Sequence, residues 1–152
     1  MKTIYHLRKD AEHIAKAQAA SLSPKPFGLN ATHGLFCSEE WWENIEAGVI
    51  PRIQKTGTIT RIFRAGMHNE SQCFEMVCQD GGKFEHDCIA ANRKDRKLYR
   101  VGVRIELTFV ESELKRPVLY TDGRIANTHS SSLIEVRIEE ELSEMPASSR
   151  EP

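Results

Sequence analysis

No run of about eighteen apolar residues occurs in this chain of 152, so nothing in it reads as a membrane-spanning helix. Charge of one sign is also missing: 21 basic residues stand against 22 acidic ones, a formal net charge of -1. No global field therefore draws the chain toward nucleic acid or an anionic surface, and partners must be argued from local patches. The four cysteines, Cys37, Cys73, Cys78 and Cys88, contain no C-x2-C pair, the short spacing of a structural zinc site. A G-x-S-x-G elbow, a phosphate-cradling glycine loop and a dinucleotide fingerprint are absent too, which removes the commonest signatures of catalysis. Aromatics make up only 7%, and both tryptophans are adjacent.

The length suits one domain with its own core. Nothing near the N-terminus reads as a secretory signal, because the charged stretch Arg8-Lys-Asp-Ala-Glu-His13 follows Leu7 directly. A cytoplasmic location with reduced thiols is the expectation.

Ile4, Leu7, Ala11, Ile14, Gln18 and Leu22 recur at spacings of three and four, which predicts an N-terminal amphipathic helix closed by Ser23-Pro-Lys-Pro26. Residues 1–26 are thus expected to form a helix and proline linker, free either to pack or to serve as a partner-binding arm. A second helix is expected over 39–47. Ser38 is a suitable N-cap, Glu39 and Glu40 complement the helix dipole, and Gly48 suits the left-handed residue beyond the end. Trp42 then stands at the staple position relative to Cys37, and Trp41, Trp42 and Ile45 share one face, so both indoles are expected in the core. The alternative for Trp41 is partial exposure and stacking on a ligand.

From Lys55 the texture becomes β. Thr56–Phe63 reads as a strand, and Gln72–Cys78 and Lys83–Ile89 flank a turn at Asp80-Gly-Gly82. A three-residue loop pairs Cys78 with Phe84, Met76 with His86 and Phe74 with Cys88, leaving Glu75, Val77, Glu85 and Asp87 on the opposite face. Tyr99, Val101, Val103, Ile105, Leu107 and Phe109 alternate with polar residues in a long strand, and Leu133–Glu139 gives the last one. The stretch 117–132 reads mainly as a long loop, with a small hairpin at Asp122-Gly123. Beyond 141 the polar, proline-bearing tail 142–152 is expected to be disordered.

These signals predict a mainly β, α+β fold: a five-stranded antiparallel barrel over 27–141, preceded by the N-terminal helix and by the short tryptophan-bearing helix. The strand order resembles that of an oligonucleotide/oligosaccharide-binding barrel or an SH3-like one. It departs from the former in that Ala90–Lys97 is too short for the helix expected between strands three and four. The runs Gly34-Leu-Phe-Cys-Ser-Glu-Glu-Trp-Trp42, Ala65-Gly-Met-His-Asn69 and Tyr99-Arg-Val-Gly102 resemble short hypothetical proteins of bacteria, a resemblance that implies a bacterial source and no activity.

Candidate binding residues fall in four places. Arg93, Lys94, Arg96, Lys97, Arg100 and Arg104 form a basic cluster relieved only by Asp95, able to hold a few phosphates or to pair with Glu135 and Glu139. The loop at 64–70 offers His68 and Asn69, and the long loop offers Tyr120, Asp122, Arg124 and His129. Trp41 is the fourth. Cys78, His86 and Cys88 share a sheet face and are expected to be buried thiols and a hydrogen-bonded core histidine rather than metal ligands. Glu75, Glu85 and Asp87 would repel a nucleic-acid strand from the face that such barrels generally use.

The expectation is a non-enzymatic binding module without cofactor, metal or membrane, whose partner is another protein or a second copy through complementary charge. Nucleic-acid binding through 93–104 is the alternative, and a small-molecule or metal-dependent enzyme using His68, His129 or the His86 set is a third reading.

Overall fold

The computed structural model describes residues 1–26 and 28–140; the tail expected to be disordered lies outside them. In chain order the elements are β1 (Lys2–His6), a 3-10 turn (Leu7–Lys9), α1 (Ala11–Leu22), α2 (Glu39–Glu46), β2 (Arg52–Ala65), β3 (Ser71–Cys78), β4 (Lys83–Asp87), a 3-10 turn (Arg93–Leu98), β5 (Arg104–Leu119) and β6 (Ile125–Ile138). The fold is mainly β with a few helices. The strands pair in the order β1-β6-β5-β2-β3-β4, so β1 and β4 are edges. This open six-stranded sheet replaces the expected five-stranded barrel. The sixth strand is β1: Ile4 belongs to it and Leu7 to the turn that follows, so the helical spacing of those two residues was coincidental, and α1 starts only after the cap Asp10, whose carboxylate accepts the His13 N–H.

The chain divides into two compact units of interleaved segments. Among the described residues, unit 1 holds Met1–Tyr5, Gln54–Leu107 and those from Glu135 to Glu140; unit 2 holds His6–Ile53 and Thr108–Ile134.

In unit 1 the core includes Ile4, Ile59, Phe74, Met76, Ile105, Leu107, Val136 and Ile138, supplied by five strands, with Val103 just before β5. The β3–β4 register pairs Phe74 with His86 and Met76 with Phe84. That is two residues away from the expected register, an even shift, so the face assignments survive. The three-residue loop is Gln79-Asp80-Gly81, not Asp80-Gly-Gly82, because Cys78 N–H bonds to Gly82 O at 2.7 Å and Gly81, at φ +90°, takes the left-handed position. On the other side of β3, Gly57 of β2 lies so close to the Val77 carbonyl that any Cβ would overlap it. The long strand expected to take in Tyr99 and Val101 begins instead at Arg104. Leu98 and Tyr99 are buried at the end of the 3-10 turn, and Val101, on the bend beyond, is 57% exposed.

Tyr99 supports this region through its hydroxyl, which donates to Ile89 O at 2.6 Å. Tyr99→Phe leaves that carbonyl without its partner, and thermal denaturation is expected to show a loss of about 1 kcal/mol.

In unit 2, α2 forms as its caps dictate. Ser38 Oγ accepts the Trp41 N–H at 3.2 Å, and Gly48 follows the last turn at φ +80°. Trp41 and Trp42 are 2% and 6% exposed, with ring centroids 4.8 Å apart in an edge-on pair. Phe36 lies 4.8 Å from Trp41, while His6 stacks on Trp42 at 6.0 Å and the Arg8 guanidinium sits 4.2 Å over the same ring. α1 is docked rather than free, although none of its side chains is fully buried. Lys115 of β5 donates to Ala20 O at 2.8 Å and Ser23 O at 2.7 Å, satisfying carbonyls left open at the helix C-terminus. Gly28, at φ +101°, packs on the Ala20 backbone with no room for a side chain.

The stretch 117–132, expected mainly as a loop, is strand on both sides of a tight turn. Tyr120 N–H bonds to Arg124 O at 2.8 Å and Gly123 N–H to Tyr120 O at 3.0 Å, so β5 and β6 form one long hairpin turning at Asp122-Gly123. The turn was legible; the strands were hidden because 116–129 are exposed throughout, so no buried face imprints an alternation on the sequence.

Candidate functional site

Two neighbouring features of unit 2 stand out. The first is the end of the β5–β6 hairpin. Val118, Leu119, Tyr120 and Ile125 are 53–61% exposed. With Tyr120 opposite Arg124, antiparallel pairing sets Leu119 opposite Ile125, two aliphatic side chains on one face. The other face carries Tyr120, over whose ring the Arg124 guanidinium lies at 5.2 Å while Asp122 holds its Nε at 2.6 Å. A water-facing hairpin gains little stability from large aliphatic groups, and together these side chains form an exposed apolar patch.

The second feature is a cleft of about 310 Å³ where three segments meet: Asn30–Gly34, Val49–Pro51 and Glu111–Glu113, with His129 of β6 also on its wall. Trp41 lines it despite its burial, and Val49, 49% exposed, forms an apolar lip. Glu111 and Glu113 are exposed and two apart on one strand, which puts them on the same side. Asn30 Nδ2 donates to Glu113 Oε1, whereas the Glu111 carboxylate has no ion pair among the described residues. A third carboxylate, Glu40, lies beside Gly34 of the lining. Between the two glutamates of β5, Ser112 Oγ is buried without a hydrogen-bond partner.

The residues singled out from sequence are thus partly assembled. Trp41 and His129 meet at the cleft, and Tyr120 lies further out on the hairpin that carries His129. The remainder belong to unit 1. Arg93, Lys94, Arg96 and Lys97 are exposed on the 3-10 turn, with Lys2 pairing to Asp95 at 3.0 Å. Arg100 donates to Glu140 O at 3.4 Å, and the Arg104 backbone N–H, not its side chain, bonds to the Glu139 carboxylate at 2.6 Å. Glu135 accepts the Thr3 hydroxyl, so neither expected glutamate forms an ion pair with the cluster. His68 and Asn69 lie in an exposed turn shaped by local bonds, Asn69 N–H to Gly66 O and His68 N–H to Glu70. Sequence reasoning missed Leu119, Ile125, Glu111, Glu113 and His33. A signal for the first two was present, since Asp-Gly flanked by Val118-Leu-Tyr120 and Ile125 is the composition of a hairpin.

His86 packs against Phe74 and Phe84 at 6.4 and 6.1 Å, with Nδ1 3.0 Å from Asp87 O. No group of three histidine, cysteine or acidic side chains able to hold a metal occurs among the described residues. No helix of those residues is long and apolar enough to cross a membrane.

All four cysteines are free. Burial pushes the Cys37 thiol up from 9.0 to about 12 against the opposing pull of Arg8, and burial with the nearby Cys73 and Asp87 does the same to Cys88. The neutral thiols therefore stabilise the fold fully below pH 9, and that contribution is lost as pH rises toward about 12. Iodoacetamide at pH 8, read by peptide mass spectrometry, is expected to leave Cys37 and Cys88 unmodified in the native chain and to modify them in denaturant.

Residues 1–139 match the family model described as Immunity protein RhsI2. The chain belongs to this immunity protein family. The match spans both units and takes in the hairpin and the cleft, so these features lie within the family's extent. No curated protein matches the chain.

Proposed function

We propose that this member of the RhsI2 immunity family neutralises a protein toxin by binding it, without chemistry of its own. The family match over residues 1–139 carries this reading. The hairpin end supports it, because exposed aliphatic and aromatic side chains on a rigid two-stranded element are suited to filling a pocket on another protein. The protein partner expected from the sequence is, in this reading, the toxin. The complex forms in the cytoplasm, where four unpaired cysteines suit a reducing compartment.

The test is co-expression with each candidate toxin domain encoded in the source genome. Restored growth with one of them, together with a stoichiometric complex on size exclusion, is the expected outcome. Rescue without any complex, or no rescue by the intact chain, would count against neutralisation by binding.

A further inference from the structure

We propose that the cleft of unit 2 is a receptor for an arginine side chain presented by the partner. The inference rests on the partner reading above and specifies the chemistry of one contact within it. Each wall matches a part of that side chain. Val49 and Pro51 give an apolar lip for the methylene stem, and the exposed His33 and His129 on the lining are planar side chains against which a guanidinium can lie, with the buried Trp41 beneath. Glu111 and Glu113 project from the same side of β5 to accept its N–H groups, and only one of the four carboxylate oxygens is engaged, by Asn30.

The surrounding charge favours a cationic donor over an anion or a neutral group. Glu40 beside Gly34 adds a third negative charge at the rim, and the exposed outer residues of α2, Glu39, Glu40 and Glu43, extend that sign along the same unit. Lysine offers one charge point without a planar face, so it uses the carboxylates and leaves the rings unused. The cleft also adjoins the hairpin through His129, which places the charged contact and the apolar one on a continuous stretch of β6.

The test needs no toxin. The intact chain is titrated with N-acetyl-arginine amide while the indole N–H resonance of Trp41 is followed by NMR, with N-acetyl-citrulline amide as the uncharged analogue. A saturable shift with the arginine compound, weakened by salt, absent with citrulline and at least about tenfold weaker in Glu111→Gln/Glu113→Gln, is the expected result. Both glutamates are exposed, so the variant is expected to fold, and its unchanged melting temperature checks this. No shift, an equal shift with citrulline, or full retention in the variant overturns the arginine receptor. Each leaves toxin binding standing, since that is judged by the co-expression result alone.

Discussion

Gly57→Ala is expected to destabilise the protein by roughly 3 kcal/mol, lowering its melting temperature by about 10 °C, and Gly57→Val to leave it largely unfolded at 37 °C. A glycine inside a strand ordinarily costs stability, so its presence mid-strand needs a reason. The reason here is contact with β3. A Cβ on Gly57 would overlap the Val77 carbonyl and stand 2.8 Å from the Val77 carbonyl carbon and 2.9 Å from Cys78 Cα, all backbone, none of which can rotate aside. Relief requires β2 and β3 to separate along a ladder running from Gly57–Cys78 to Ala65–Ser71, and with it exposure of Phe74 and Met76. Gly81→Ala is the informative control. Gly81 has φ +90° but open space around it, so only backbone strain of about 1 kcal/mol is expected. Equal melting temperatures for the two alanine variants would refute the close-approach argument.

Leu119→Ala/Ile125→Ala is expected to have the opposite profile: thermal stability unchanged within about 0.5 kcal/mol and affinity for the proposed toxin partner reduced at least about thirtyfold. Both side chains are more than half exposed, so truncation leaves no cavity. In a complex the pair would be desolvated together, and removing two such anchors costs about 2 kcal/mol or more of binding. Melting curves and titration calorimetry against the neutralised toxin separate the two effects. Full affinity in the double variant would exclude this face of the hairpin from the interface.

Where the determinants are local, the fold could be read from the sequence. Ser38, Glu39, Glu40 and Gly48 delimit α2 within one residue, because caps act on the turn beside them. The β3–β4 face sets survived a register error because any even shift preserves them. What failed was non-local. The pairing of β1 with β6 joins residues at opposite ends of the chain, and the three segments of the cleft are brought together only by the finished fold. Glu111 and Glu113 read as ordinary solvent-facing positions of a strand. Their neighbours across the cleft, Asn30, His33 and Val49, lie more than sixty positions earlier. Tyr120 and His129 are polar or aromatic residues of a stretch that reads as a loop, whereas Leu119 and Ile125 carry no such mark, and only the finished hairpin sets them side by side.

The interleaving of the two units also governs the order in which the chain can fold during synthesis. Unit 1 needs Val136 and Ile138 from the end of β6, and unit 2 needs most of β5 and of β6 around segments made far earlier. Neither can close while translation is only halfway along, and neither corresponds to a continuous fragment that a gene truncation would deliver. On the proposed function, nascent chains would therefore give no protection. Neutralisation of a suddenly arriving toxin would then depend on a standing pool of finished molecules.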